Sequence, residues 1–232
     1  MRRTLAVVAC AGAVALAAAC GGSSDSDAGE AASTAAPPPA PTGATAPAPS
    51  ATAPAGDLAD RLPPEDAIAG LRTGTVRRLP TAQTLVDSLY QVGDPARDAA
   101  QQRLEEGGYA DGLLRDQAGE DPASGPALVR GYVIRMRDDA AARQEVADAV
   151  DEVDRSSTGE TSEVEVPDVD DARGVRVDVS QAGVTGSVVF VTFADGPYVY
   201  GIQAVSREGA DLPEDEVVQA AQDLDERVSS SG

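Results

Sequence analysis

From Leu128 to Arg137 the chain alternates, with Leu128, Tyr132, Ile134 and Met136 on one face and Gly131, Arg135 and Arg137 among the residues outside or between. Period two predicts a half-buried strand, with Arg130 its one charged inward position. Asp138 or Asp139 then caps a helix whose Val146, Ala149, Val150 and Val153 form an apolar stripe. Further on, Val164 and Val166 alternate with acids, and Val175, Val177 and Val179 alternate with Arg176 and Asp178. Val184 to Phe193 and Tyr198 to Val205 flank the turn Asp195-Gly196-Pro197, which predicts a hairpin. A closing helix is expected from near Pro213, presenting Val217, Val218, Ala221 and Leu224.

Before the first secure strand the periodicity is helical. Thr81 has the chemistry of an N-cap ahead of Leu85, Val86, Leu89 and Tyr90, and Asp94-Pro95 repeats the device for a helix carrying Ala96, Ala99, Ala100 and Leu104. That second helix should stop at Gly107-Gly108. Leu58, Leu62, Ile68 and Leu71 are too scattered to predict an element. Strands joined by tight turns, with helices after groups of strands, predict an α+β fold: an antiparallel sheet packed with helices on one or both faces.

The first residues read differently. Arg2-Arg3 precedes an apolar run from Leu5 to Ala19, which at helical rise spans about 22 Å, short of a hydrocarbon core of about 30 Å. Small residues then lead to Cys20, so the segment is an export signal of the lipoprotein kind, with Ala17 where a lipobox usually has Leu. The alternative is plain secretory cleavage after Ala17-x-Ala19, leaving Cys20 unmodified. Lipidation at Cys20 would anchor the mature chain to the outer face of the cell membrane, since two acyl chains suffice for stable attachment. From Gly21 to about Asp57 the chain is almost wholly Ala, Pro, Ser, Thr and Gly, with nothing to bury. A flexible linker is the expectation, reaching roughly 35 Å as a coil. The organisation is therefore 1–19 signal peptide, 20–57 lipidated Cys20 and linker, and 58–232 one extracytoplasmic α+β domain.

Composition narrows the chemistry. The chain has no His and no Lys, and all 18 basic residues are Arg. Without imidazole there is no Ser-His-Asp triad, Cys-His pair or His-ligated zinc, and without lysine no Schiff base or P-loop. Ser187 and Ser206 stand in no Gly-x-Ser-x-Gly elbow. Cys10 leaves with the signal and Cys20 takes the lipid, so no internal disulfide is expected. Formal charge is −21, and −23 once Arg2 and Arg3 are removed, which repels nucleic acid and anionic headgroups.

Two passages, Val166-Pro-Asp-Val-Asp-Asp-Ala-Arg-Gly-Val-Arg-Val177 and Val189-Phe-Val-Thr-Phe-Ala-Asp-Gly-Pro-Tyr-Val-Tyr200, together with the Cys20 signal, carry a resemblance. They resemble actinobacterial cell-envelope lipoproteins of unknown function, whose folded domains are similar to extracytoplasmic sensor domains of mycobacterial serine/threonine kinases. The resemblance covers residues 128 to 228. It implies a three-stranded meander ending in an aromatic-rich strand, and binding or scaffolding rather than catalysis, with no catalytic residues to carry over.

Candidate sites are few. Tyr198 and Tyr200 lie two apart on one strand face and, with Tyr132, are the candidates for a ligand pocket. Asp168, Asp170 and Asp171 offer oxygen atoms to a cation, but no glycine sits at the sixth loop place and Val179 holds the twelfth, so this is not an EF-hand. A solvated acidic turn is the expectation, with no metal and no cofactor. Glu160, Glu163 and Glu165 read as the exposed side of an edge strand. Arg72, Arg77 and Arg78 form the one locally basic patch. The expected function is a non-enzymatic domain that binds an envelope ligand or protein partner and no nucleic acid. The rivals are a pocketless interaction module and a hydrolase working through carboxylates alone.

Overall fold

The computed structural model describes residues 56–230 except 91–93, 95, 158 and 182–183. The signal, Cys20 and the linker lie outside the described residues. In chain order the elements are α1 (Gly56–Ala59), β1 (Thr75–Leu79), α2 (Ala82–Leu89), α3 (Ala96–Glu106), β2 (Asp111–Ala118), β3 (Leu128–Arg135), α4 (Asp139–Ser156), β4 (Glu160–Val164), β5 (Arg173–Gln181), β6 (Val184–Asp195), β7 (Tyr198–Arg207) and α5 (Glu214–Ser229). The strands form one seven-stranded sheet in the order β1-β2-β3-β7-β6-β5-β4, with every pair antiparallel. The fold is α+β.

Helices cover both faces of this sheet. Helix α5 lies on one face with Leu58, Leu62 and Ile68, packing on Val133, Val189, Val191, Phe193, Tyr200 and Ile202. Helices α2, α3 and α4 lie on the other, over Leu114, Tyr132, Ile134, Val175, Val177, Phe190 and Val199. A sheet covered on both sides needs apolar residues at successive positions, which is why β6 runs Val188-Val189-Phe190-Val191.

The local signals act as their chemistry dictates. Thr81 caps α2 by accepting from the Thr84 backbone N–H, and the Thr84 hydroxyl accepts from the Thr81 N–H in return. Asp138 caps α4 by accepting from the Ala141 N–H at 2.8 Å, and the Asp94 carboxylate accepts from the Ala96 N–H at 2.8 Å. The β6–β7 hairpin closes with Asp195 opposite Tyr198, and Gly196 takes the positive φ of 55° that the first central position of such a loop needs.

Two expectations are corrected. The region before Leu128 is not purely helical, since β1 and β2 flank α2 and α3 and extend the sheet by two strands. Asp111-Gly-Leu-Leu-Arg-Asp-Gln-Ala shows no alternation because both of its faces are covered. Strand β3 is buried on both faces, with Val129 and Val133 on the α5 side and Tyr132 and Ile134 opposite. Arg130 is held there by Asp116, at 2.8 Å from Nε to the carboxylate.

Candidate functional site

Helices α2, α3 and α4 do not close fully on the sheet. Toward it α3 presents Ala100 and α4 adds Ala149, residues too short to fill the space over Tyr132 and Phe190. A cavity of about 110 Å³ remains, with Leu85, Leu89, Leu104, Ile134, Val153 and Phe190 as its apolar wall. Its polar lining comes from Tyr90, Arg103, Tyr132, Glu145, Glu152, Ser156 and Gln203.

At its centre Arg103 of α3 forks onto Glu145 of α4, Nε at 3.0 Å and Nη2 at 3.2 Å. The pair is nearly out of solvent, with side-chain exposures of 19% and 8%. Burial pushes the Glu145 carboxyl above its ordinary value, against the opposing pull of Arg103. Burial also works against the charge on Arg103, but hydrogen bonding and attraction from Glu145, joined by Tyr90, hold its guanidinium above the ordinary range. Glu145 also faces the more distant charge of Asp148. Tyr90 is raised by burial, and Arg103 pulls in the opposite direction.

Tyr132 forms the floor. It pairs with Gly201 across β3 and β7, and a Cβ on Gly201 would meet the ring at 2.2 Å, so glycine lets the phenol lie flat across the neighbouring strand. Thr192, on the same face of β6, gives its hydroxyl proton to the Tyr200 carbonyl at 2.8 Å. Burial raises the phenol well above its ordinary value. Phe190 lies beside the ring, with centroids 6.4 Å apart.

The three tyrosines singled out in the sequence are split by the sheet. Tyr198 and Tyr200 share the α5 face, whereas Tyr132 belongs to the opposite one. Tyr200 stacks on Phe193 at 4.8 Å and accepts a 2.7 Å hydrogen bond from Arg61, which also lies 4.1 Å over the Tyr198 ring and 3.6 Å from Asp195. Burial, only partly countered by Arg61, pushes the Tyr200 phenol up to about 12. These contacts tie the N-terminal segment to the sheet and leave no room for a guest.

Asp168, Asp170 and Asp171 are exposed in the turn between β4 and β5. Among the described residues no group of three or more acids, His or Cys is placed to hold a metal. The basic patch is balanced by acids of β2: Arg77 meets Asp116 at 2.6 Å and Arg78 meets Asp111 at 3.8 Å. Arg103, Glu145, Glu152 and Gln203 were not singled out by sequence reasoning. The available signal was Glu145, Glu152 and Ser156, polar residues at helical spacing beside the apolar stripe of α4.

No family model matches the chain, and no curated protein matches it in sequence. Among solved structures the extracellular domain of PknH from Mycobacterium tuberculosis is similar at TM-score 0.39 and 13% identity, over 70% of this chain and 82% of that one.

Proposed function

We propose that the protein is a lipid-anchored, extracytoplasmic binding protein, with the cavity beneath α2, α3 and α4 as its ligand site and no catalytic role. The cavity itself carries this reading. An interaction module gains nothing from about 110 Å³ of unfilled space, because lost contacts around a void weaken the core. Here the void is lined by leucine, valine and phenylalanine interspersed with a few groups that hydrogen-bond, which is the make-up of a small-molecule site.

Hydrolysis by carboxylates is the weaker reading on geometry. Two acids that cleave a glycosidic bond flank it from opposite sides. Glu145 and Glu152 stand on one wall, seven residues apart on α4 and so about 10 Å apart along its axis. Glu145 is further held by the Arg103 fork.

Anchoring is assigned to Cys20 on its sequence setting. Among the described residues no helix is long and apolar enough to cross a membrane. Cys20→Ala is expected to move the protein from the carbonate-washed membrane fraction to the soluble one, and retention would overturn the anchor. For the site, the full chain is incubated with envelope extract and weighed by native mass spectrometry. The expected result is a discrete added mass on the wild type that is missing from Ala149→Leu, whose side chain fills the cavity. A bare wild-type mass would leave the interaction module as the better account.

A further inference from the structure

The charges within the cavity do not balance. It is lined by one guanidinium, Arg103, and two carboxylates, Glu145 and Glu152. Arg103 is committed to Glu145 through two hydrogen bonds, which leaves Glu152 outside that fork. The only ionic partner of Glu152 among the described residues is Arg155 at 3.2 Å, a side chain 64% exposed whereas that of Glu152 is 11% exposed. An ion pair with one member in water contributes little and is readily exchanged.

Two more polar groups share this lining without a partner of their own. Ser156 lies one helical turn beyond Glu152 on α4, and Gln203 projects from β7 on the face that carries Tyr132. Neither side chain is hydrogen-bonded to another group among the described residues. Together they present a carboxylate, an amide and a hydroxyl, each able to accept a hydrogen bond, among the apolar side chains of Leu89, Val153 and Phe190.

We infer that the cavity takes a small organic cation, a primary ammonium or amidinium seated on Glu152, Ser156 and Gln203, with an apolar body of about six heavy atoms against Leu89, Val153 and Phe190. This rests on reading the cavity as the binding site. An anionic guest would face a surplus of negative charge, with the one guanidinium of the lining already paired. A neutral apolar guest would desolvate Glu152 without replacing its water. The chain's formal charge of −21 acts in the same direction, raising the local concentration of cations.

Hexylammonium, hexanol and hexanoate share one chain length and differ in charge, so calorimetric titration of the full chain with each isolates the charged end. Hexylammonium is expected to bind roughly ten- to a hundredfold more tightly than hexanol, and hexanoate more weakly than either. Glu152→Gln should remove the advantage of the amine and keep the affinity for hexanol, which also shows that the variant is folded. Ala149→Leu should block both. Equal binding of amine and alcohol by the wild type overturns the inference and leaves the cavity as a site for neutral guests. Amine binding that survives Glu152→Gln or Ala149→Leu overturns it by placing the cation elsewhere. Binding of none of the three overturns both the inference and the reading on which it rests.

Discussion

The two faces of the sheet are covered by helices to opposite ends. Under α5, Val217, Leu224, Val189, Val191, Phe193, Tyr200 and Ile202 are all fully buried, and the one phenol among them is satisfied by Arg61. Under α2, α3 and α4 the helices offer alanines, an ion pair is enclosed, and about 110 Å³ stays open. One face is packed as a core and the other leaves packing incomplete around charged groups. Close packing and open space are thus separated by the thickness of a single sheet, and substitutions at matched positions should expose the difference.

The largest effect is expected from Phe193→Ala. Its ring is buried against Tyr200 with nothing free to move in, so truncation should cost about 3–5 kcal/mol by urea denaturation. Phe190→Ala, three residues away on the other face, only enlarges a space that already exists and should cost less. Equal losses would break the comparison. Next is Arg103→Met, which strands the Glu145 carboxylate in the interior and should cost about 3 kcal/mol. The double variant Arg103→Met, Glu145→Leu should recover most of that, because removing both charges leaves nothing unpaired. Additive losses in that cycle would show that the pair is not coupled. Gly201→Ala should cost about 1–3 kcal/mol, since its Cβ meets the Tyr132 ring at 2.2 Å and the buried phenol must shift. A loss smaller than that would mean that the ring has room to move.

What the sequence made legible follows the range of the interaction. Thr81, Asp94 and Asp138 cap helices through groups two or three residues away, and the Gly196 turn joins neighbours, so each was readable in place. Strand β2 was not, because Gly112-Leu113-Leu114 acquires its meaning only from β1 and β3 on either side and from helices on both faces. The tyrosines show how fine the dependence is. Tyr198 and Tyr200 share a face by parity alone, but Tyr132 joins or leaves them according to whether β7 sets Gly201 or Tyr200 opposite it. Glu145 was harder still. An acid beside Val146 belongs on a solvated edge unless a cation reaches it, and Arg103 does so from 42 residues away.

The smallest effect is a difference of sign in the response to pH. On the α5 face, close to solvent, Arg176 joins Asp178 at 3.2 Å and Glu214 of α5 at 3.3 Å. The Ser187 hydroxyl, and then Arg176, hold the Asp178 carboxyl below its ordinary value. A carboxyl lowered by folding contributes stability above its unfolded value, near 3.8, and loses it as pH falls through the folded one. Glu145 is displaced the other way by burial, so its contribution is complete below about 4.5 and declines as pH rises through the raised folded value. Urea midpoints followed from pH 3 to pH 7 should therefore diverge. Asp178→Asn should lower stability near neutrality by less than about 1 kcal/mol, the ceiling for so exposed a pair, and lose part of the acid-side decline. Glu145→Gln should leave the acid side unchanged and remove the decline above it. Parallel profiles would mean that the buried pair answers to solvent as the rim does, and that the contrast between the two faces is one of packing alone.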